Sequence, residues 1–256
     1  MTNKDLQDKY EDIYKNGPEA YHSMTTEDVT EQVVAEFDWN GKRVLEVGCG
    51  LGRTANAIAE AGGVVLATDY SKEAIKSARA EYGGNPKVNF VTSLAGPDRI
   101  HPFDVVVAQE LLEHLDNPQI ALMDWQEYLP PGGYMIVTCP SFLNVRGYVW
   151  MTLSLLMDVP MSLTDLHYVT PWDMERWARA SGMVLEEWRT FRFDMAGGQM
   201  FMDDMKKRLT NALNDAAIRV PEHKINSLLR WMNNAAGYQA VSDKQGAGAL
   251  YRLRKE

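Results

Sequence analysis

Short apolar runs and amphipathic stretches alternate through the middle of this chain. Arg43-Val-Leu-Glu-Val47, Val64-Val-Leu-Ala-Thr68, Val88–Val91, Asp104-Val-Val-Val-Ala108 and Tyr134-Met-Ile-Val-Thr138 are each four or five residues long and bounded by glycine, proline or polar turns. Runs of that length, rich in β-branched residues, predict buried strands. Between them lie three helix-forming stretches. Thr54–Ala61 is alanine-rich and stops at Gly62-Gly63. Ser71–Tyr82 has Ser71 as N-cap and ends at Gly83-Gly84. Asn117–Leu129 precedes the turn Pro130-Pro-Gly-Gly133. Strands alternating with helices predict a parallel sheet covered on both faces, an α/β fold.

The flanks read differently. Residues 1–40 form two polar, amphipathic helical pieces, separated at Gly17-Pro18. Residues 142–165, rich in Met, Leu and Trp, predict helix. Pro171–Ser181 predicts another, with Thr170 as N-cap and Pro171 in the first turn. Val184–Phe193 predicts a sixth strand, and Met200–Asn234 helices broken near Pro221. Ala249–Leu253 alternates apolar and polar positions and predicts a final edge strand. The expected organisation is an N-terminal helical lid over 1–40. An α/β domain follows over 41–256, with helical insertions around 142–166 and 200–240 that shape an acceptor site.

Composition narrows the partners. The 256 residues are 45% apolar and 24% charged, ordinary for a soluble domain. The net charge of −9, with no basic stripe beyond Arg252-Leu-Arg254-Lys255, disfavours a nucleic-acid partner. Cys49 and Cys139 are the two cysteines, too few for a disulfide framework, and read as reduced thiols. The polar start, Met1-Thr2-Asn3-Lys4-Asp5, has no apolar leader region. The longest apolar stretch, Tyr148–Met157, is too short to span a bilayer. A cytoplasmic protein is expected. The Trp150, Met151, Leu155, Leu156 and Met157 cluster is either core, a lid with Tyr10, Tyr14 and Tyr21, or a peripheral membrane contact.

The chemistry concentrates after the first strand, in Val44-Leu-Glu46-Val-Gly48-Cys-Gly50-Leu-Gly52-Arg53. Glycines there let the backbone take positive φ and approach a ligand closely. The helix beyond presents free N–H groups. The glycines fall at every second position, whereas a dinucleotide turn is spaced G-x-G-x-x-G. Arg53 stands where its third glycine would be, which argues against a nicotinamide oxidoreductase. Asp69 closes the second strand, 21 residues after Gly48, where an acid can accept bonds from ribose hydroxyls.

These segments, with Ala67–Ser71, Phe103–Pro118 and Leu129–Pro140, resemble class I S-adenosylmethionine (SAM)-dependent methyltransferases. Within that family the similarity is to the branch that includes the ubiquinone-biosynthesis O-methyltransferases. It covers roughly residues 40 to 140. The resemblance implies SAM as cofactor and a doubly wound, seven-stranded Rossmann-like sheet. Its strand order would be 3-2-1-4-5-7-6, with strand seven antiparallel. It places Glu46, Gly48, Gly50 and Gly52 around the methionine part of SAM, Asp69 on the ribose and Tyr70 near adenine. Ser93 and Leu94 stand where many members carry an Asp for the adenine amino group. Gln109 would line the methionine side.

Glu110-Leu-Leu-Glu113-His114 follows the fourth strand directly. If helical, its positions i, i+3 and i+4 share one face, aiming two carboxylates and an imidazole the same way. Such a ligand mix suits Mg, Mn or Zn. The stretch resembles the E-x-x-E-H segment of ubiquinone-type O-methyltransferases and of small-RNA 2′-O-methyltransferases. In the RNA enzymes a downstream His completes a metal site, which implies His167 here. Glu110, Glu113, His114 and His167 are thus the expected metal ligands. Without metal, His114 or His167 accepts the acceptor's proton, beside Glu110.

The leading expectation is methyl transfer to a hydroxyl of a small-molecule or glycan-like acceptor. The alternatives are an N- or C-methyltransferase acting on a metabolite or peptide, a nicotinamide-dependent oxidoreductase, and a catalytically idle SAM-binding subunit.

Overall fold

The structure, a computed structural model, describes residues 3–16, 27–94, 102–159, 165–193, 198–238 and 242–256. The chain divides into two compact units. One comprises residues 1–139, 171–188 and 250–256, the other 140–170 and 189–249.

The first unit is organised by the sheet. Its strands are β1 (Arg43–Val47), β2 (Val64–Thr68), β3 (Val88–Val91), β4 (Val105–Gln109), β5 (Tyr134–Pro140), β6 (Met183–Phe191) and β7 (Gly248–Lys255). Their spatial order is β3-β2-β1-β4-β5-β7-β6, as the resemblance implied. β1 pairs in parallel with β2 and β4, β2 with β3, and β4 with β5. The uninterrupted valines of β4 follow from this central position, where both faces are covered: Val105, Val106, Val107 and Ala108 are all fully buried. β7 runs against β5: Gly132 donates to Lys255 at one end, and Ser141 donates to Ala247 at the other.

The expectation that the last strand is an edge is corrected. β7 sits between β5 and β6, and β6 is the edge. Alternation in the short run Ala249–Leu253 suggested one wet face, yet Ala249, Leu250, Tyr251 and Leu253 are all buried.

Helices of this unit follow the sequence signals closely. α1 is Asn3–Asn16, α2 Glu27–Val34, α3 Arg53–Glu60 and α4 Lys72–Tyr82. Ser71 caps α4 by accepting from the Ala74 amide at 3.1 Å. α5 (Pro118–Gln126) starts with Asn117 as N-cap and proline in its first turn. The expected break at Gly17-Pro18 lies outside the described residues, as does Tyr21.

The second unit is helical: α6 (Val145–Met157), α8 (Gln199–Asp215) and α9 (Glu222–Tyr238). α7 (Pro171–Ala180) belongs to the first unit. Trp150, Phe201, Met205, Leu209, Ile225, Leu229 and Met232 form the helical unit's core. Trp150 of the Met/Leu/Trp cluster is therefore core, whereas Leu155 and Leu156 are 71% and 78% exposed. The α8–α9 break begins before Pro221, at Ala217, whose positive φ of 58° lets Ile218 donate back to Leu213.

Two glycines separate the cost of backbone handedness from the cost of crowding. Gly52 (φ +81°) and Gly132 (φ +80°) share a left-handed backbone, but a Cβ at Gly52 would stand 2.5 Å from the Phe90 ring, while one at Gly132 meets nothing within 4 Å. Gly132→Ala is expected to cost about 1–2 kcal/mol for the handedness alone. Gly52→Ala is expected to cost about 2–5 kcal/mol, because overpacking adds to it. Urea unfolding of both variants measures the difference, and equal losses would contradict the packing assignment.

Candidate active site

β2, β1 and β4 are neighbours in parallel, so their carboxyl ends lie side by side. Each of those ends carries a polar side chain. Glu46 is the penultimate residue of β1, Asp69 follows β2 directly, and Gln109 closes β4. All three are buried. Loops that leave this edge form the crevice where α/β sheets bind ligands.

The glycine turn is latched to the end of β2. Gly48 and Cys49 both donate to the Thr68 carbonyl, at 2.8 and 2.9 Å. Gly50 donates to Asp69 Oδ2 at 2.9 Å, and Ser71 donates to Asp69 Oδ1 at 2.9 Å. Gly48, Gly50 and Gly52 all have positive φ, the conformation their lack of a side chain permits. Burial raises the Asp69 pKa, the two amides oppose that rise, and the nearby Glu11 charge adds to it. Tyr70 is 40% exposed at the mouth. Ser93 is exposed and Leu94 half-buried, just beyond β3.

A chain of polar side chains runs beneath the turn. Thr30 on α2 meets Thr54 on α3 at 2.6 Å. Thr54 donates to Gln109 Oε1 at 3.2 Å, and Gln109 Nε2 donates to Glu46 Oε1 at 3.3 Å. Burial, then the Asp69 charge, pushes the Glu46 carboxyl up to about 8, and the Ala55 amide opposes them. Thr30 and Thr54 were not singled out from the sequence. The available signal was a threonine in the first turn of an otherwise alanine-rich helix.

α1 lies over this edge. The Tyr14 hydroxyl sits 2.9 Å from where a Cβ of Gly50 would stand. Burial raises its pKa, with Asp69, Tyr70 and Cys49 adding to the rise. Tyr10 brings its hydroxyl to 3.1 Å from His114 Nε2.

The Glu110–His114 segment departs from the expected helical turn. Glu110 has φ +46°, and its amide donates to the Thr138 carbonyl of β5 at 2.9 Å. Only Leu112–His114 is helical, as a single 3-10 turn. The i, i+3, i+4 face that would align Glu110, Glu113 and His114 is therefore not made. Among the described residues, no group of three or more His, Cys, Asp or Glu side chains could hold a metal ion. The expected divalent cation is thus not supported by the described side chains. Glu113 and His114 are buried, and Glu113 Oε1 lies 3.9 Å from His114 Nε2. His167 belongs to the helical unit, half-buried in the irregular segment before α7.

Cys49 shares the acidic neighbourhood. Burial above all, and then Glu46 and Asp69, hold its thiol well above the usual range. Cys139 is also buried. At pH 8 the native protein is expected to leave both thiols largely unlabelled by Ellman's reagent over minutes, and guanidinium to expose both. Prompt labelling of native Cys49 would contradict this burial.

Residues 45–135 match a methyltransferase domain family. The chain is 32% identical over 155 residues to a ubiquinone biosynthesis O-methyltransferase of Thiobacillus denitrificans, covering 57% of this chain and 66% of that one. It is 31% identical over 163 residues to the corresponding protein of Alkalilimnicola ehrlichii, covering 60% and 65%. The matches thus span just under two thirds of those relatives. Among solved structures, magnesium protoporphyrin IX methyltransferase from Synechocystis PCC 6803, with bound S-adenosylhomocysteine (SAH), superposes with a TM-score of 0.61 at 11% identity, covering 99% of this chain and 100% of that one. The [4+2]-cyclase SpnF gives a TM-score of 0.61 at 21% identity, covering 99% and 96%. Likeness at that identity shows the fold alone. By sequence match the chain carries a methyltransferase domain over residues 45–135 and is similar to the ubiquinone biosynthesis O-methyltransferases, and its sheet order is that of its structural neighbours' fold.

Proposed function

We propose that this protein transfers the methyl group of SAM to a hydroxyl of a small-molecule acceptor. The observation that carries this reading is Asp69, whose two oxygens are fixed by the Gly50 and Ser71 amides at the mouth of the glycine turn. Each carboxylate oxygen can accept more than one bond, so lone pairs remain for the two ribose hydroxyls. Gly48, Gly50 and Gly52 leave the backbone bare where the methionine part would pass. Tyr70 stands beside Asp69 to meet the adenine face.

When bound, SAM supplies an electrophilic methyl on a sulfonium, a good leaving group. The protein's share is alignment and exclusion of water. Transfer to an acceptor oxygen would form one carbon–oxygen bond from an oxygen lone pair and break the carbon–sulfur bond, whose electron pair would stay on sulfur. The acceptor's proton must then leave. His114 is the proposed base, with Nε2 held toward Tyr10 and Glu113 nearby. The O-methyltransferase name of the relatives supports oxygen over nitrogen or carbon as the target.

Two variants separate binding from chemistry. Asp69→Ala is expected to weaken SAM binding by about tenfold or more, from loss of charge-assisted hydrogen bonds. An unchanged dissociation constant by calorimetry would remove the ribose assignment. His114→Gln is expected to leave SAM affinity within about twofold while lowering kcat by about 10²–10⁴ on a hydroxyl acceptor. The assay is transfer of labelled methyl to a panel of phenols and alcohols. Tight SAM binding by the wild-type protein with no transfer to any of them would overturn the hydroxyl reading.

A further inference from the structure

Glu46 is a buried acid with one oxygen left over. It is 2% exposed, two residues before Gly48. Oε1 accepts from Gln109, while Oε2 has no hydrogen-bond partner among the described residues. The groups facing it are the Asp69 carboxyl from the end of β2, the Cys49 thiol from the turn, the Gln109 amide from β4 and the Ala55 amide of α3. None of these is a cation. A carboxylate buried without a cation is costly, and the cheapest relief is to keep a proton.

SAM and SAH differ by one positive charge. SAM carries an ammonium, a carboxylate and a sulfonium. SAH carries the same ammonium and carboxylate on a neutral thioether. Resting on the cofactor reading above, we propose that Glu46 discriminates the two by a proton: it ionises when SAM occupies the glycine turn and takes the proton back when transfer leaves SAH there. The step is an acid dissociation and its reverse, exchanging one proton with water.

The coupling is reciprocal, so a cation that favours ionised Glu46 binds more tightly once the proton is gone. Burial first and then Asp69 push the carboxyl up to about 8. The bound sulfonium lowers that value. SAM affinity therefore rises with pH through the interval below about 8 and levels off above it. SAH, with one positive charge fewer, shifts the carboxyl less and follows pH more weakly. The consequence is product release: once the methyl group has gone, the site regains a neutral acid and loses its preference for the occupant. Glu46 is thus a specificity residue, acting on charge rather than on shape.

Calorimetric titration of the wild-type protein with SAM and with SAH tests this, run at pH 7 in buffers of differing ionisation enthalpy. SAM is expected to release more than half a proton per site, and SAH less than half of the SAM value. SAM affinity is expected to rise toward the tenfold-per-unit limit of a single linked proton as pH increases below about 8. In Glu46→Gln the excess release with SAM disappears and SAM affinity flattens with pH. Equal proton release for the two ligands, or an undiminished excess in the variant, would overturn the proposal. If the variant does not fold, the wild-type comparison decides alone. Binding of neither ligand would instead remove the cofactor reading and the proposal with it, a result distinct from binding without proton release.

Discussion

The site depends on one latch, the backbone of the glycine turn bonded to the end of the neighbouring strand. Gly48 and Cys49 donate to the Thr68 carbonyl and Gly50 donates to the Asp69 carboxyl. Three successive amides pointing one way require backbone angles that residues with side chains rarely take. Positive φ at Gly48 and Gly50 supplies them. A bond to an ionised group contributes about 1.5–3 kcal/mol, so the Asp69 bonds stiffen the turn as well as aim the carboxylate. Loss of Asp69 would remove the turn's anchor together with the proposed ribose contact.

The same crowding sets the electrostatics. Asp69 acts on Glu46 and Glu11 acts on Asp69 at this edge, and burial raises both Glu46 and Asp69. The tyrosines of α1 add oxygen rather than positive charge. Acids gathered at this edge favour a positively charged group in a bound ligand. A phosphate-bearing dinucleotide would bring its charge to the wrong place, which agrees with the glycine spacing. Fold alone could not decide this, because the [4+2]-cyclase SpnF has the same architecture.

Features legible in the sequence were local. The buried strands, the capped helices at Ser71 and Asn117, the glycine turn and the acid ending β2 each lie within a few residues of the signal that marks them. The parts that were not legible depend on contacts distant in sequence. Glu110 leaves helical geometry because its amide is held by Thr138, 28 residues away on β5. That bond undoes the shared face that the E-x-x-E-H spacing promised. The Thr30–Thr54–Gln109–Glu46 chain joins two helices and two strands, so no window of sequence contains it. β7 alternates like an edge strand yet is interior, since β6 closes outside it only in three dimensions.

The central claim is that a sulfonium nucleoside lies across the turn after β1 with its sugar on the acid that ends β2. A crystal structure of the protein with SAH tests it most directly. The account predicts both ribose hydroxyls within hydrogen-bond distance of the Asp69 carboxylate, and the amino-acid portion against Gly48–Gly50 beside Glu46. Density for the nucleoside elsewhere, with the Gly50–Asp69 bond intact and the turn empty, would contradict it.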